Sequence, residues 1–393
     1  MENTNKDIIE KNKRIIDRVE NATAALDKKD FTFFFFVVDS KNVPNGSMEY
    51  IYQMAKALHD KEYKVCMVYQ NPDEYSEEEL KKLKLQGSVP DENRTFVGVG
   101  DWMGEEFANL PHMNISLSEW TVGPYDFLFI PEVFSSIMFN TYQKNMPAKR
   151  YVILQKPEYV TEFIPLNMQW SNYGIDHVIA NSQVNADWIN DMFPYTKDFT
   201  HVLPPYIPGY FRKPMEPKKL IVNIVSKNPD DINRVVNPFY WKNPIYKFLY
   251  FRDLRNYPRK DFAKYLQEGM VTIWMDEGTT FGYSAVEALR CGNLVIGHAP
   301  ENIPEWMTAD NGIWVENTRD IPEILGKVIG TLLSDELPES LQKGIDEAEK
   351  LYSFEEYDKN LQELVDNIIA ERKIEFQAIK DMAEEKIKEN ENK

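Results

Sequence analysis

The chain opens with apolar residues at Ile8, Ile9, Ile15, Ile16, Val19 and Ala22, a nearly helical spacing with charges of both signs between. This predicts a helix within residues 1–30 that docks on the body of the protein. The period then changes. The apolar run Phe33 to Val38 gives way to a turn, DSKNVPNGS, then to a helical pattern at Tyr50, Ile51, Met54, Ala55 and Leu58, and then to a second apolar run, YKVCMVY. That order is a β–α–β unit, the start of a parallel sheet. Further strand-like segments, RTFVGVG, YDFLFIPE, RYVILQ and DHVIANS, alternate with polar or helical stretches, as in a doubly wound α/β domain.

Prolines at 204, 205, 208, 214 and 217 mark a linker. A fresh apolar strand, LIVNIVS, follows it. The β/α rhythm resumes through KFLYFRD, a helix near RKDFAKYLQEG, the strands VTIWM and LVIGH, and helical patterns from about Ile321. The tail from Ser353 carries an apolar stripe at Tyr357, Leu361, Leu364, Val365, Ile368 and Ile369, so it should pack, with its last ~10 residues frayed. The chain thus divides into a helical extension (1–30), an α/β domain (31–210), a second α/β domain (211–350) and a helical tail (351–393). Two such domains joined by a proline-rich hinge leave a cleft between the carboxyl ends of their sheets, where open α/β sheets bind ligands.

Composition narrows the partners. The 393 residues, 43% of them hydrophobic, can fill two cores. With 63 acidic against 45 basic residues the formal charge is −18, which disfavours nucleic acid and limits membrane association to a peripheral kind. The apolar run at 31–38 is far short of the ~20 residues of a membrane span, and the charged opening residues offer no secretory signal. Two cysteines, Cys66 and Cys291, suit a reducing cytoplasm rather than a disulfide framework.

Three segments carry candidate chemistry. In VPNGSMEY, Asn45, Gly46 and Ser47 form a turn before a helix, which permits unusual backbone angles and close approach of a ligand to the helix start; a plain β–α turn reads equally well. In DEGTTFGYSAVEALRCG, Ser284 and Glu287 have the spacing of a capping box, while the same geometry could offer helix amides to a phosphate and a carboxylate to a ribose. In VSKNPDDINR, Lys227 and Arg234 leave the second sheet where they could neutralise a leaving diphosphate, or could be solvated charges. His59, His112, His177, His201 and His298 show no metal-ligand spacing, so no metal is expected. Hydrolase, zinc-protease and P-loop motifs do not occur.

Four segments, taken in order, resemble glycosyltransferases of the two-domain GT-B architecture, family 4 in particular. VPNGSMEYIYQMAKALHDKEYKVCMVY is similar to the family's first β–α–β unit. IDHVIANSQVNADWI with HVLPPYIPGYF is similar to the end of its first domain. IVSKNPDDINR lies where the family places two basic residues on the donor diphosphate. FGYSAVEALRCGNLVIGHAPENIPEWM matches FGL…EAMACGxPVV…GGxxE.

The resemblance implies an α/β fold of two Rossmann-like domains facing a cleft, with extra helices at both ends. It further implies a nucleotide-sugar donor on the second domain, a carbohydrate-containing or protein acceptor on the first, and transfer with retention and without a cofactor. Glu287 takes the place of the glutamate that binds the donor ribose. Phe281, Gly282, Tyr283 and Ser284 form the turn beside sugar and phosphates, Lys227 and Arg234 the diphosphate clamp, and Asn45 with Gly46 the phosphate and acceptor loop. Eight positions before Glu287, where the family has its first glutamate, this chain has Thr279, with Glu277 two residues earlier. Either a backbone shift brings Glu277 or Asp276 into that place, or Thr279 serves as a hydrogen-bonding group. On the first-domain side, Glu132, Gln155 and Lys156 end strands and should face the cleft. Tyr159, Trp170, Tyr206 and Tyr240 could stack on sugar rings, though aromatics usually pack in the core. A binding module that has lost turnover and a nucleotide-sugar epimerase are the alternative functions.

Overall fold

The computed structural model describes residues 2–37, 40, 43–69, 99–114, 121–175, 177–276, 281–300, 302–334 and 338–391. The first sheet holds β1 (Thr32–Val37), β2 (Lys64–Tyr69), β3 (His112–Asn114), β4 (Phe127–Pro131), β5 (Lys149–Leu154), β6 (His177–Ala180) and β7 (Thr200–Val202), in the order β3-β2-β1-β4-β5-β6-β7. The second holds β8 (Lys219–Val225), β9 (Tyr250–Asp253), β10 (Gly269–Trp274), β11 (Leu294–His298) and β12 (Ile313–Val315), in the order β12-β11-β10-β8-β9. All their pairings are parallel.

A parallel sheet is covered on both faces, so its strands read as nearly continuous apolar runs. The phenylalanine run shows how. Phe33 and Phe35 join Phe127, Phe129 and Tyr151 in one core, and Phe34 and Phe36 join Leu128, Ile130 and Val152 in the other. Phe35 stacks on Phe129 at 4.8 Å. The strand order reverses between β1 and β4 in the first sheet and between β8 and β10 in the second. Crevices open beyond the carboxyl ends of strands at such switch points.

The tail returns to the first domain. The helix Phe354–Glu391 lies against the opening helix Glu2–Asp27, and both bury apolar stripes, Leu361, Val365 and Ile368 beside Ala22 and Leu26, on the Phe33 face of the first sheet. Each fully buried Leu or Ile contributes about 1.5–3 kcal/mol. The helix runs to Glu391, with Ala383 buried and Lys380 paired to Glu20 at 2.8 Å. The strand expected at 94–100 falls outside the described residues except for Val99 and Gly100, which form a turn. β3, β7 and β12, three residues each, escaped the hydrophobic pattern.

Candidate functional site

A cleft of about 750 Å³ opens where the two switch points face each other. Its first wall comes from the segment after β1 (Asn45, Gly46, Ser47) and the segment after β5 (Gln155, Lys156, Tyr159). The second wall comes from the segments after β8, β9 and β10, which bring Lys227, Arg255 and Asp276, and from the start of the helix Tyr283–Arg290. Glu277 and Thr279 lie outside the described residues.

Asn45 adopts an extended conformation and caps the helix Gly46–Asp60, its Oδ1 accepting from the amides of Ser47 (2.9 Å) and Met48 (3.3 Å). Two amides that a helix start leaves free are thereby used. Gly46 has no positive φ, which corrects the expectation of an unusual backbone angle. Glycine is needed for close approach: a Cβ there would stand 3.1 Å from the Tyr283 ring of the second domain. The Ser47 carbonyl accepts from Gln155 Nε2 at 3.1 Å.

Across the cleft the helix Tyr283–Arg290 starts from Gly282, left-handed at φ 76°, with no side-chain cap. The capping box expected of Ser284 and Glu287 is therefore not formed, because Ser284 already lies inside the helix. A Cβ on Gly282 would meet Trp306 at 2.9 Å, so both conformation and space demand glycine. Phe281 is buried against Tyr283 and Tyr352, and its carbonyl accepts from Trp306 Nε1 at 2.7 Å. The Tyr283 hydroxyl is buried and has no hydrogen-bond partner among the described residues.

The residue that the sequence reading missed is Arg259, first in the helix Arg259–Glu268. Its Nε lies 3.2 Å from Glu49 Oε2 of the first domain. Nη1 donates to Glu287 Oε2 at 3.1 Å, and Nη2 makes a shorter bond to Glu287 Oε1. Its backbone amide donates to the Trp102 carbonyl at 3.1 Å, and its guanidinium lies 4.8 Å from the Phe211 ring. Glu49 is 3% exposed and Glu287 0%. One cation thus serves two buried carboxylates from different domains. Burial pushes the Glu49 carboxyl above its usual range, with the Arg259 charge pulling the other way. Glu287, the ribose carboxylate of the resemblance, has both oxygens engaged by Arg259.

The remaining charges divide differently from expectation. Lys227 lines the cleft and pairs with Asp276 at 3.0 Å. Arg234 does not line it; exposed on the helix Asp231–Lys242, it pairs with Asp231 at 3.1 Å. Arg255, held to Asp253, lines the cleft instead. Glu132 is buried behind the first wall rather than on it, and its Oε1 accepts from the amides of Gln155 (3.1 Å) and Lys156 (2.8 Å). It shapes the loop that presents Lys156. Burial outweighs these donors and raises the Glu132 carboxyl to about 7. Of the four aromatics, only Tyr159 lines the cleft, with the Lys156 ammonium 4.7 Å from its ring centre. Trp170 packs on Phe193, Tyr206 on Phe354 and Tyr357, and Tyr240 on Phe251.

No protein-family model matches the chain, and no curated protein matches it. Solved structures do. Sucrose-phosphate synthase from Thermosynechococcus elongatus is 14% identical with a TM-score of 0.54, the match covering 86% of this chain and 99% of that one. Anabaena HepE in complex with UDP and glucose is 11% identical with a TM-score of 0.59, covering 86% and 100%. The pneumococcal O-GlcNAc transferase GtfA in complex with UDP and GlcNAc is 9% identical with a TM-score of 0.57, covering 86% and 99%. The fold is therefore the GT-B architecture, two Rossmann-like domains facing a cleft. Among the described residues no helix is long and apolar enough to cross a membrane.

Proposed function

We propose that this protein transfers a glycosyl group from a nucleotide-sugar donor to a carbohydrate-containing or protein acceptor, with retention and without a metal ion or cofactor. The observation that carries the reading is the cleft itself: the loops of two facing switch points close on about 750 Å³, and four cations, Lys156, Lys227, Arg255 and Arg259, line it. Fixed cations beside a departing diphosphate stabilise the charge that develops as its bond to the sugar breaks. UDP in the cited complexes of HepE and GtfA makes a uridine diphosphate sugar the first donor to try.

In this reading the donor enters on the second wall and the acceptor on the first, beside Gln155 and Lys156. Glu287 takes the ribose hydroxyls only after Arg259 turns away from it, and the arriving diphosphate, a stronger partner for a guanidinium, draws Arg259 off. The test is a panel of nucleotide sugars, with slow donor hydrolysis followed by mass spectrometry and melting temperature measured alongside. Hydrolysis of at least one donor is expected, with stabilisation by the matching nucleoside diphosphate. No effect of any nucleotide or nucleotide sugar on either measurement sinks the proposal.

The full engagement of Glu287 by Arg259 favours a second reading, a GT-B binding module without turnover. Stabilisation by a nucleotide sugar with no hydrolysis, and no transfer to any acceptor extract, would select it.

A further inference from the structure

Outside the cleft, three ligating side chains meet under the C-terminal helix. His177 starts β6, His201 sits in β7 and Glu371 comes from the helix Phe354–Glu391; one ligand atom from each lies within 4.8 Å of the others. The register explains the histidine pair. Ile179 is opposite His201 across the β6–β7 pairing, and residues 177 and 179 share a face, so both imidazoles point to the side that the C-terminal helix covers. The two rings lie parallel within 3°, their centres 6.5 Å apart.

The spacing is close to that of ligands around one ion. His177 Nδ1 and Glu371 Oε2 stand 3.7 Å apart, beyond hydrogen-bond reach. Two atoms each bonded to one tetrahedral zinc at about 2.1 Å are about 3.4 Å apart. Glu375 takes both Lys149 Nζ (2.6 Å) and Arg372 Nη1 (2.5 Å), and Arg372 also donates to the carbonyls of Pro124 and Pro147. Those bonds also clamp the helix, which fixes Glu371 over the histidines. His177 is buried between the rings of Tyr151 and Phe199, each 4.9 Å away. Among the described residues His201 Nε2 is buried without a partner.

We propose that His177, His201 and Glu371 bind a divalent transition-metal ion, suited to zinc, that staples the C-terminal helix to the edge of the first sheet. Two imidazoles and one carboxylate are a zinc donor set, with a fourth position for water. The site is independent of the cleft and of what the cleft does. It runs against the expectation of no metal-ligand histidines, which rests on sequence spacing, whereas ligands 24 and 170 residues apart leave no spacing motif.

The test uses the full chain without an affinity tag, stripped by chelator, reloaded with zinc and dialysed. We expect about one retained zinc per chain, with a melting temperature raised by several degrees that saturates at that ratio. His201→Gln and Glu371→Gln, both at partly exposed positions, should each lose the retained zinc and the rise while melting like the stripped parent. Cobalt in the parent should give the intense visible bands of a tetrahedral site, absent from both variants. A parent that retains no zinc after reloading overturns the proposal, as does full zinc retention by the His201→Gln/Glu371→Gln double variant.

Discussion

Replacing Arg259 by alanine is the sharpest test of how this molecule is held together. The substitution leaves Glu49 and Glu287, 3% and 0% exposed, facing an empty space with no cation. Removing one partner of a buried pair costs about 3–5 kcal/mol, because the remaining charge keeps its desolvation penalty without its attraction. At about 2–4 °C per kcal/mol for domains of 150–250 residues, the melting temperature should fall by about 10 °C. The pH dependence supplies a second signature. With the guanidinium gone, burial alone acts on both carboxyls and raises their folded pKa above the unfolded value. The protonated forms are then the tolerated ones, so stability is full below the unfolded value and is lost as pH rises through the folded one. The variant should therefore come nearest the parent at pH 5 and fall furthest behind at pH 8. Adding Glu49→Gln and Glu287→Gln should restore much of the loss, since neutral groups cost less to bury than unpaired charges. Thermal scans from pH 5 to 8 measure all of this. A single variant that melts within about 2 °C of the parent at pH 8 would refute the reasoning.

Glu132→Gln should flatten the pH profile of stability. Carrying the carboxyl from 4.5 to about 7 corresponds to about 3 kcal/mol that the parent holds below pH 4.5 and loses as pH climbs through 7, whereas the amide still accepts from the backbone and never ionises; parallel melting profiles of parent and variant from pH 5 to 8 would contradict this. Tyr283→Phe removes a buried hydroxyl with no partner among the described residues and should stabilise by about 1 kcal/mol, seen as a rise in melting temperature; a fall would show that the hydroxyl is bonded. Lys227→Ala should weaken a nucleoside diphosphate about tenfold in calorimetry and leave the bare nucleoside unchanged, a charge-assisted contact being worth about 1.5–3 kcal/mol; equal loss for both would move the diphosphate elsewhere.

What the sequence reveals depends on how local the cause is. The longer strands of both sheets are legible because burial on two faces leaves little room for polar residues, and the cleft-lining turns are legible because they must follow the carboxyl ends of those strands. The S-x-x-E spacing at Ser284 is a local signal read in the wrong register: Gly282, left-handed and pressed against Trp306, starts the helix two residues early, so Ser284 cannot cap it. Arg259 is illegible for the opposite reason. In YPRKDF it looks like any surface cation beside Lys260, and only folding sets it between Glu49, 210 residues upstream, and Glu287, 28 residues downstream. Its position has a functional consequence. The same guanidinium holds the first domain to the second and covers the carboxylate that a donor ribose would need, so a donor that recruits Arg259 must also loosen the contact between the domains. If the proposed function holds, closure of the cleft and occupation of the donor site are coupled through one side chain that no motif announces.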